Sequence, residues 1–178
     1  VTQAQWKQVM AEDPSGFRGA DKPVERVSWN DAVDFCNKLT EIEKKAGRLP
    51  KGMSYQLPTE SQWEYACRAG TTTAYSWGNS IADTDANWGG SSLRQTRDVG
   101  QYNPNPWGFF DMHGNVYEWT ADWRRKYQSG PIINPTGPAS GRLRVIRGGC
   151  WADIPPYLRS DERSYGIPGA RHSGVGFR

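Results

Sequence analysis

Three residue classes in this chain could do chemistry, so their spacing comes first. The cysteines are Cys36, Cys67 and Cys150. A soft metal or a redox couple needs two thiols close together, and no CxxC or zinc-like spacing brings any two of these near. Three widely separated cysteines read as small buried apolar side chains. The histidines are His113 and His172. Two cannot build a three-histidine iron site, and neither H-x-E nor H-x-x-x-H occurs. His113 reads as a partly buried polar residue beside a glycine turn, and His172 as a surface side chain. A triad hydrolase would show G-x-S-x-G, a nucleotide binder a P-loop or GxGxxG, and neither is present. Asp161 and Glu162 are sequence neighbours, which in a strand point to opposite faces, so they read as a solvated pair rather than an acid–base couple.

One constellation could hold a hard cation. Asp111-Met-His-Gly114-Asn-Val116-Tyr-Glu118 offers two carboxylates, and the Gly114 and Val116 carbonyls could turn toward the same centre. Gly-Asn is also ordinary turn chemistry, so the residues alone leave both readings open. The other unusual stretch is the C-terminal run from Arg147 to Arg178, in which Asp, Tyr, Glu, Ile, His and Ser follow no hydrophobic period.

The elements that must position these groups are unevenly legible. At 178 residues the length fits one domain. Hydrophobic residues make up 36%, but there are nine Trp and eight Tyr, so the core must come from few, large side chains. Twenty Gly and twelve Pro predict much turn and coil. Three helices are predicted. Thr2 with Gln5 forms a capping box ahead of Trp6, Val9 and Met10, and the helix ends before Asp13-Pro14. Ser28 or Asn30 caps a second, in which Ala32, Phe35, Cys36 and Leu39 share a face and Gly47 is the stop. Thr59 with Gln62 opens a third, with Trp63, Ala66 and Cys67 inward and Gly70 at its end. Residues 71–106 read as loops with short extended pieces. Residues 116–123 and 143–147 alternate and read as strands. Helices first and brief antiparallel strands later make the fold class α+β with much coil.

Several segments in order carry a resemblance: VTQAQWKQVM, PVERVSWNDAVDFCNKL, YQLPTESQWEYACRAG, WGFFDMHGNVYEWTADW, RVIRGGCW and the terminal GFR. Together they resemble the formylglycine-generating enzyme (sulfatase-modifying factor) domain over nearly the whole chain. The resemblance implies a C-type lectin-like fold with two principal helices, small antiparallel sheets and long structured loops. It also implies a structural calcium ion at Asp111, Gly114, Val116 and Glu118, with Asp111 standing where many relatives have Asn. The oxidases of the family need two closely spaced cysteines after RGG for copper(I), and residues 151–178 contain none. Neither copper nor iron is therefore expected, and the chain reads as a non-enzyme. A formylglycine-generating-type or iron-dependent oxidase is the alternative.

Within the family the tail is most similar to the variable proteins of diversity-generating retroelements, whose diversified region runs from near RGG(S)W to GFR. That resemblance implies a single domain, 1–178, displaying 147–178 as a ligand-binding region. Arg147, Gly148, Gly149, Trp151, Arg159, Ser160, Arg163, Pro168, Arg171, Gly176, Phe177 and Arg178 then read as frame. Asp153, Ile154, Tyr157, Asp161, Glu162, Ser164, Tyr165, Ile167, Ala170, His172 and Ser173 read as contact residues. Tyr157 and Tyr165 are the first anchors, because aromatic rings supply contact area at little entropic cost. The partner expected is a protein or other macromolecule. A net charge of +3 with interspersed signs argues against nucleic acid. No apolar run approaches the roughly 20 residues of a membrane span. No signal peptide occurs in these residues, and the abrupt start at a helix threshold suggests that others precede it. The compartment stays open, although cell-surface display would suit a diversified binder.

Overall fold

The fold was obtained as a computed structural model and is described for residues 1–126, 130 and 132–178. The three helices form where the caps stand. Helix α1 spans Gln3–Met10 behind the Thr2–Gln5 capping box, and α3 spans Glu60–Arg68 behind Thr59–Gln62. Helix α2, Trp29–Lys45, is capped by Ser28. Its box partner is Asp31, one methylene shorter than the Glu or Gln of the usual pattern, which is why the sequence left Ser28 and Asn30 both open.

Among the described residues four strands make one sheet in the order β3-β2-β1-β4. Strand β1 is Tyr117–Trp123 and β2 is Arg144–Arg147, antiparallel, with Trp119 opposite Ile146 and Glu118 opposite Arg147. Strands β3, Ser164–Gly166, and β4, Val175–Gly176, were not anticipated. Two or three residues are too few to display a period, and their pairing comes from strands distant in sequence. Strand β3 lies antiparallel on β2, and β4 parallel to β1. Residues 71–106, read as loop with extended pieces, contain one isolated bridge, Tyr75 to Gly78.

The main core cluster sets four aromatic rings, Trp6, Phe35, Trp119 and Phe177, among aliphatic residues such as Val24, Val27, Leu57 and Ile146. Trp6 stacks on Phe35 at 5.5 Å between ring centroids, and Phe177 meets Phe35 edge-on at 5.2 Å. Phe177 and Val175 thereby draw the end of the chain into the cluster built by α1 and α2. The other end of the tail is fixed by the turn after β2. Gly148 and Gly149 have φ of +94° and +74°, a region that costs an L side chain strain. A Cβ at Gly149 would also stand 2.9 Å from the Tyr157 carbonyl oxygen. The tail therefore leaves the sheet at a glycine turn, makes a 3₁₀ turn at Pro155–Leu158, and returns to the sheet twice.

Candidate ligand-binding surface

Three arginines hold the tail from beneath. The Arg147 side chain is fully buried. Its guanidinium donates to the carbonyls of Ser160 at 2.7 Å, Asp161 at 3.1 Å and Glu162, and pairs with Glu64 at 2.5 Å. Arg163 binds the Glu60 carboxylate and donates to the Arg125 carbonyl at 3.1 Å. Arg178 grips both Glu118 oxygens at 2.5 Å. Planar donor forks suit this task, each fixing several acceptors at once. Arg159 and Arg171, grouped with the frame in the sequence, are exposed and pair with Asp161 and Asp31. Trp151 is half-buried: its ring meets Phe17 edge-on at 5.3 Å and its N–H donates to the Ser173 carbonyl at 3.1 Å.

Beyond Trp151 the buried tail residues are Leu158, Ser160, Val175, Gly176 and Phe177. Ile154, Tyr157, Asp161, Ile167 and His172 are exposed, and Asp153, Glu162, Ser164, Tyr165, Ala170 and Ser173 are half-buried. These eleven positions do not line one pocket. The Asp153 and Ser164 side chains both hydrogen-bond the Tyr117 hydroxyl. Ile154 and Tyr157 sit on the side where Gly89 N–H donates to the Asp153 carbonyl and the Tyr75 hydroxyl to that of Pro155. Tyr165 and Ile167 lie at the β3 edge beside Arg124 and Arg142. Ala170, His172 and Ser173 lie toward the start of α2, where Arg26 N–H donates to the His172 carbonyl. Asp153 is also used by the fold, since its carboxylate accepts the Cys150 N–H at 2.9 Å.

Tyr117 was missed in the sequence as a site residue. It reads there as one more alternating position of a strand, and only the folded chain brings Asp153 and Ser164 to it. Burial first, then the Asp153 carboxylate, push its pKa far up, so it remains a neutral phenol that can donate and accept. Arg124 and Arg142 were missed for the same reason: they flank a segment of chain and meet only across the sheet.

The groups with catalytic potential are placed otherwise. All three cysteines are free and buried. Burial pushes the thiols of Cys67 and Cys150 up to about 12, far from the thiolate a nucleophile or metal ligand needs. Cys67 lies 3.5 Å from His113 Nε2, but burial holds that imidazole neutral, its pKa lowered to about 4. His113 Nδ1 lies 2.7 Å from the Leu158 carbonyl and Nε2 accepts the Ser76 N–H at 3.2 Å, so both nitrogens serve the fold. Among the described residues no group of three or more His, Cys, Asp or Glu side chains is placed to hold a metal ion.

Asp111, Gly114, Val116 and Glu118 do line one cavity, of about 370 Å³, together with Arg178. Two carboxylates with main-chain oxygens nearby are a donor set suited to calcium. Glu118 already has a cation, however, because Arg178 occupies both its oxygens and the Trp63 N–H a further bond at 2.6 Å. Asp111 accepts the Gly100 N–H at 2.7 Å, and burial raises its carboxyl pKa. A calcium ion would have to draw Glu118 away from the guanidinium.

Comparison with known proteins agrees with this architecture. The model of the sulfatase-modifying factor enzyme 1-like domain matches residues 1–178. The formylglycine-generating enzyme of Bos taurus is 34% identical over the whole chain, which covers 49% of that enzyme, so the chain spans about half its length. The serine/threonine-protein kinase pkn1 of Chlamydia pneumoniae is 41% identical over 89% of the chain, which covers 24% of the kinase. Among solved structures, Treponema denticola variable protein 1 superposes with a TM-score of 0.90 at 34% identity, covering 99% of this chain and 80% of that one.

Proposed function

The chain belongs to the sulfatase-modifying factor enzyme 1-like domain family, with its C-type lectin-like fold, and on that scaffold we propose a non-catalytic protein that binds a macromolecular ligand through residues 147–178. In this reading the domain is a variable protein of the diversity-generating retroelement type. The observation that carries it is the partition of the tail. None of the eleven contact positions is buried, while Leu158, Ser160, Val175, Gly176 and Phe177 anchor the chain between them. A surface that changes residue by residue needs that arrangement, because Arg147, Arg163 and Arg178 bond main-chain carbonyls and glutamates outside the tail rather than the outward side chains. Asp153 is the position least free to vary, given its bond to Cys150. The similarity to Treponema denticola variable protein 1 supports the same reading.

The oxidase alternative has less support. A copper(I) site needs two soft thiolates, and the one cysteine beside the RGG turn, Cys150, is a buried thiol with its pKa raised to about 12. The deciding experiment is a library in which Ile154, Tyr157, Asp161, Glu162, Ser164, Tyr165, Ile167, Ala170, His172 and Ser173 are randomised and selected against a panel of immobilised proteins. Specific binders that melt near the parent temperature are expected. A library that unfolds, or stoichiometric copper binding with oxygen turnover by the parent, overturns the proposal.

Calcium belongs to this reading as a stabiliser, held by Asp111, Gly114, Val116 and Glu118. It would supply a hard positive charge that ties the loop before β1 to the strand. Because Arg178 competes for Glu118, affinity in the millimolar range, about that of extracellular calcium modules, is expected. Saturating calcium should raise the melting temperature of the parent but not of Asp111→Ala; equal shifts in both would remove the ion from these residues.

A further inference from the structure

Apart from the short run Arg124-Arg125-Lys126 the basic residues of this chain are spread along the sequence, but the fold brings Arg142 to Arg124 at the β3 edge. Arg124 leaves β1, Arg142 precedes β2, and both line an open cleft of about 530 Å³ with Leu143 and Ile167. Arg124 also lies 4.4 Å above the Tyr165 ring centroid. Arg144 is beneath, its guanidinium 3.6 Å and 3.5 Å from the ring centroids of Trp29 and Trp123. The acids on this side are not available to neutralise the cleft. Glu60 is buried and bound to Arg163, and Asp122 is buried and accepts the Glu60 N–H at 2.7 Å. Among the described residues neither Arg124 nor Arg142 has a carboxylate partner, and both are exposed. The remaining residues, 127–129 and 131, include no acid.

We propose that this cleft receives an acidic segment of a protein ligand, with a carboxylate between Arg124 and Arg142 and an apolar side chain over Leu143 and Ile167. The inference rests on the ligand-binding reading of the tail and sharpens it by assigning the partner's charge. Arg124 and Arg142 lie outside residues 147–178, so they would give every variant of the surface the same electrostatic bias, while Tyr165 and Ile167 beside them set the detail. Two guanidiniums flanking an apolar floor suit a short mixed acidic and apolar segment. A phosphate backbone is favoured instead by a longer row of cations, since its affinity comes from many simultaneous neutralisations. Charge complementarity of this kind raises association rate and rejects wrong partners.

The test uses fluorescein-labelled decapeptides in fluorescence anisotropy at low salt. A peptide alternating Glu and Leu should bind, and its counterpart alternating Gln and Leu should bind at least about tenfold more weakly. Raising salt from about 50 to about 300 mM should weaken the first far more than the second. The double variant R124E/R142E should lose at least about tenfold for the Glu peptide; R124Q/R142Q should show a smaller loss and serves if charge reversal disturbs folding. Equal affinity for the two peptides, no binding of either, an unaltered affinity in both variants, or tighter binding of an oligothymidylate than of the Glu peptide overturns the proposal. The randomised library separates this from the wider reading. Binders won equally against acidic and basic target proteins would remove only the charge assignment, whereas a library yielding no binders would remove the ligand-binding reading itself.

Discussion

Two regions of this molecule use similar residue types to opposite ends. In the interior, Cys67, His113 and Ser160 lie together, the thiol 3.5 Å from the imidazole and 3.7 Å from the hydroxyl. On the outside, Asp, Tyr, Ser and His side chains stand along a tail with no period. By residue type the first group resembles a nucleophile with its base, and the second resembles an irregular loop. Environment reverses the comparison. Burial keeps the thiol protonated and the imidazole neutral, and every ring nitrogen already serves a main-chain partner. The outer groups keep their polar atoms in or near water, where they can be exchanged for contacts with another molecule at little cost. Reactivity is a property of position, and here the position with freedom is the tail.

The most severe way to break the comparison is to remove what holds the outer region in shape. Arg147→Met deletes a buried guanidinium that satisfies three tail carbonyls and Glu64. Breaking one side of such a buried network costs about 3–5 kcal/mol. Urea unfolding is expected to show a loss of that size, and a loss below about 1 kcal/mol would mean that the tail is supported from elsewhere.

The interior region is probed next through pH. The folded pKa of His113 is depressed from 6.5 to about 4 by burial. A depressed histidine contributes stability that is complete above the unfolded value near 6.5. That stability is lost as pH falls toward 4, because only the unfolded chain takes up the proton. The shift corresponds to about 3 kcal/mol over this interval. In His113→Gln the group is absent, so the stability of parent minus variant should fall by about that amount between pH 6.5 and 4. A constant difference across the interval would show that the imidazole is not sealed in the fold and would bring it back as a reactive group.

What the sequence disclosed follows from the range of the physics involved. The helix caps Thr2, Ser28 and Thr59 act within three residues and could be read directly. Composition announced large rings in the core, but not how many stay outside it or which rings meet: Tyr65, Trp107 and Phe110 are exposed, while Trp6 and Phe177, at opposite ends of the chain, have ring centroids 6.0 Å apart. The glycine turn at Gly148 and Gly149 marked where the tail leaves the sheet. Tyr117 between Asp153 and Ser164, and the cleft at Arg124 and Arg142, arise only when three or four strands assemble, so no local pattern announces them. The tail itself was legible mainly through the family resemblance. Lack of period marks a segment as unpacked, but it does not say which of its residues face outward.

The smallest effect on stability gives the sharpest form of the comparison. Ile154, Tyr157 and Ile167 are 58%, 46% and 63% exposed, large apolar side chains left in water. Outward positions of this kind usually change stability by no more than about 0.5 kcal/mol when truncated. Changing all three to Ala should therefore leave the melting temperature within a few degrees of the parent, provided the three sites act independently. Tyr165 differs, because its half-buried ring lies beneath the guanidiniums of Arg124 and Arg163, 4.4 Å and 5.6 Å from its centroid. Tyr165→Ala should cost about 1 kcal/mol through those contacts alone. Thermal melts of the triple variant and of Tyr165→Ala, run side by side, check this order. If the triple variant melts far below Tyr165→Ala, the exposed trio supports the fold, and the tail is a packing element rather than a surface free to change.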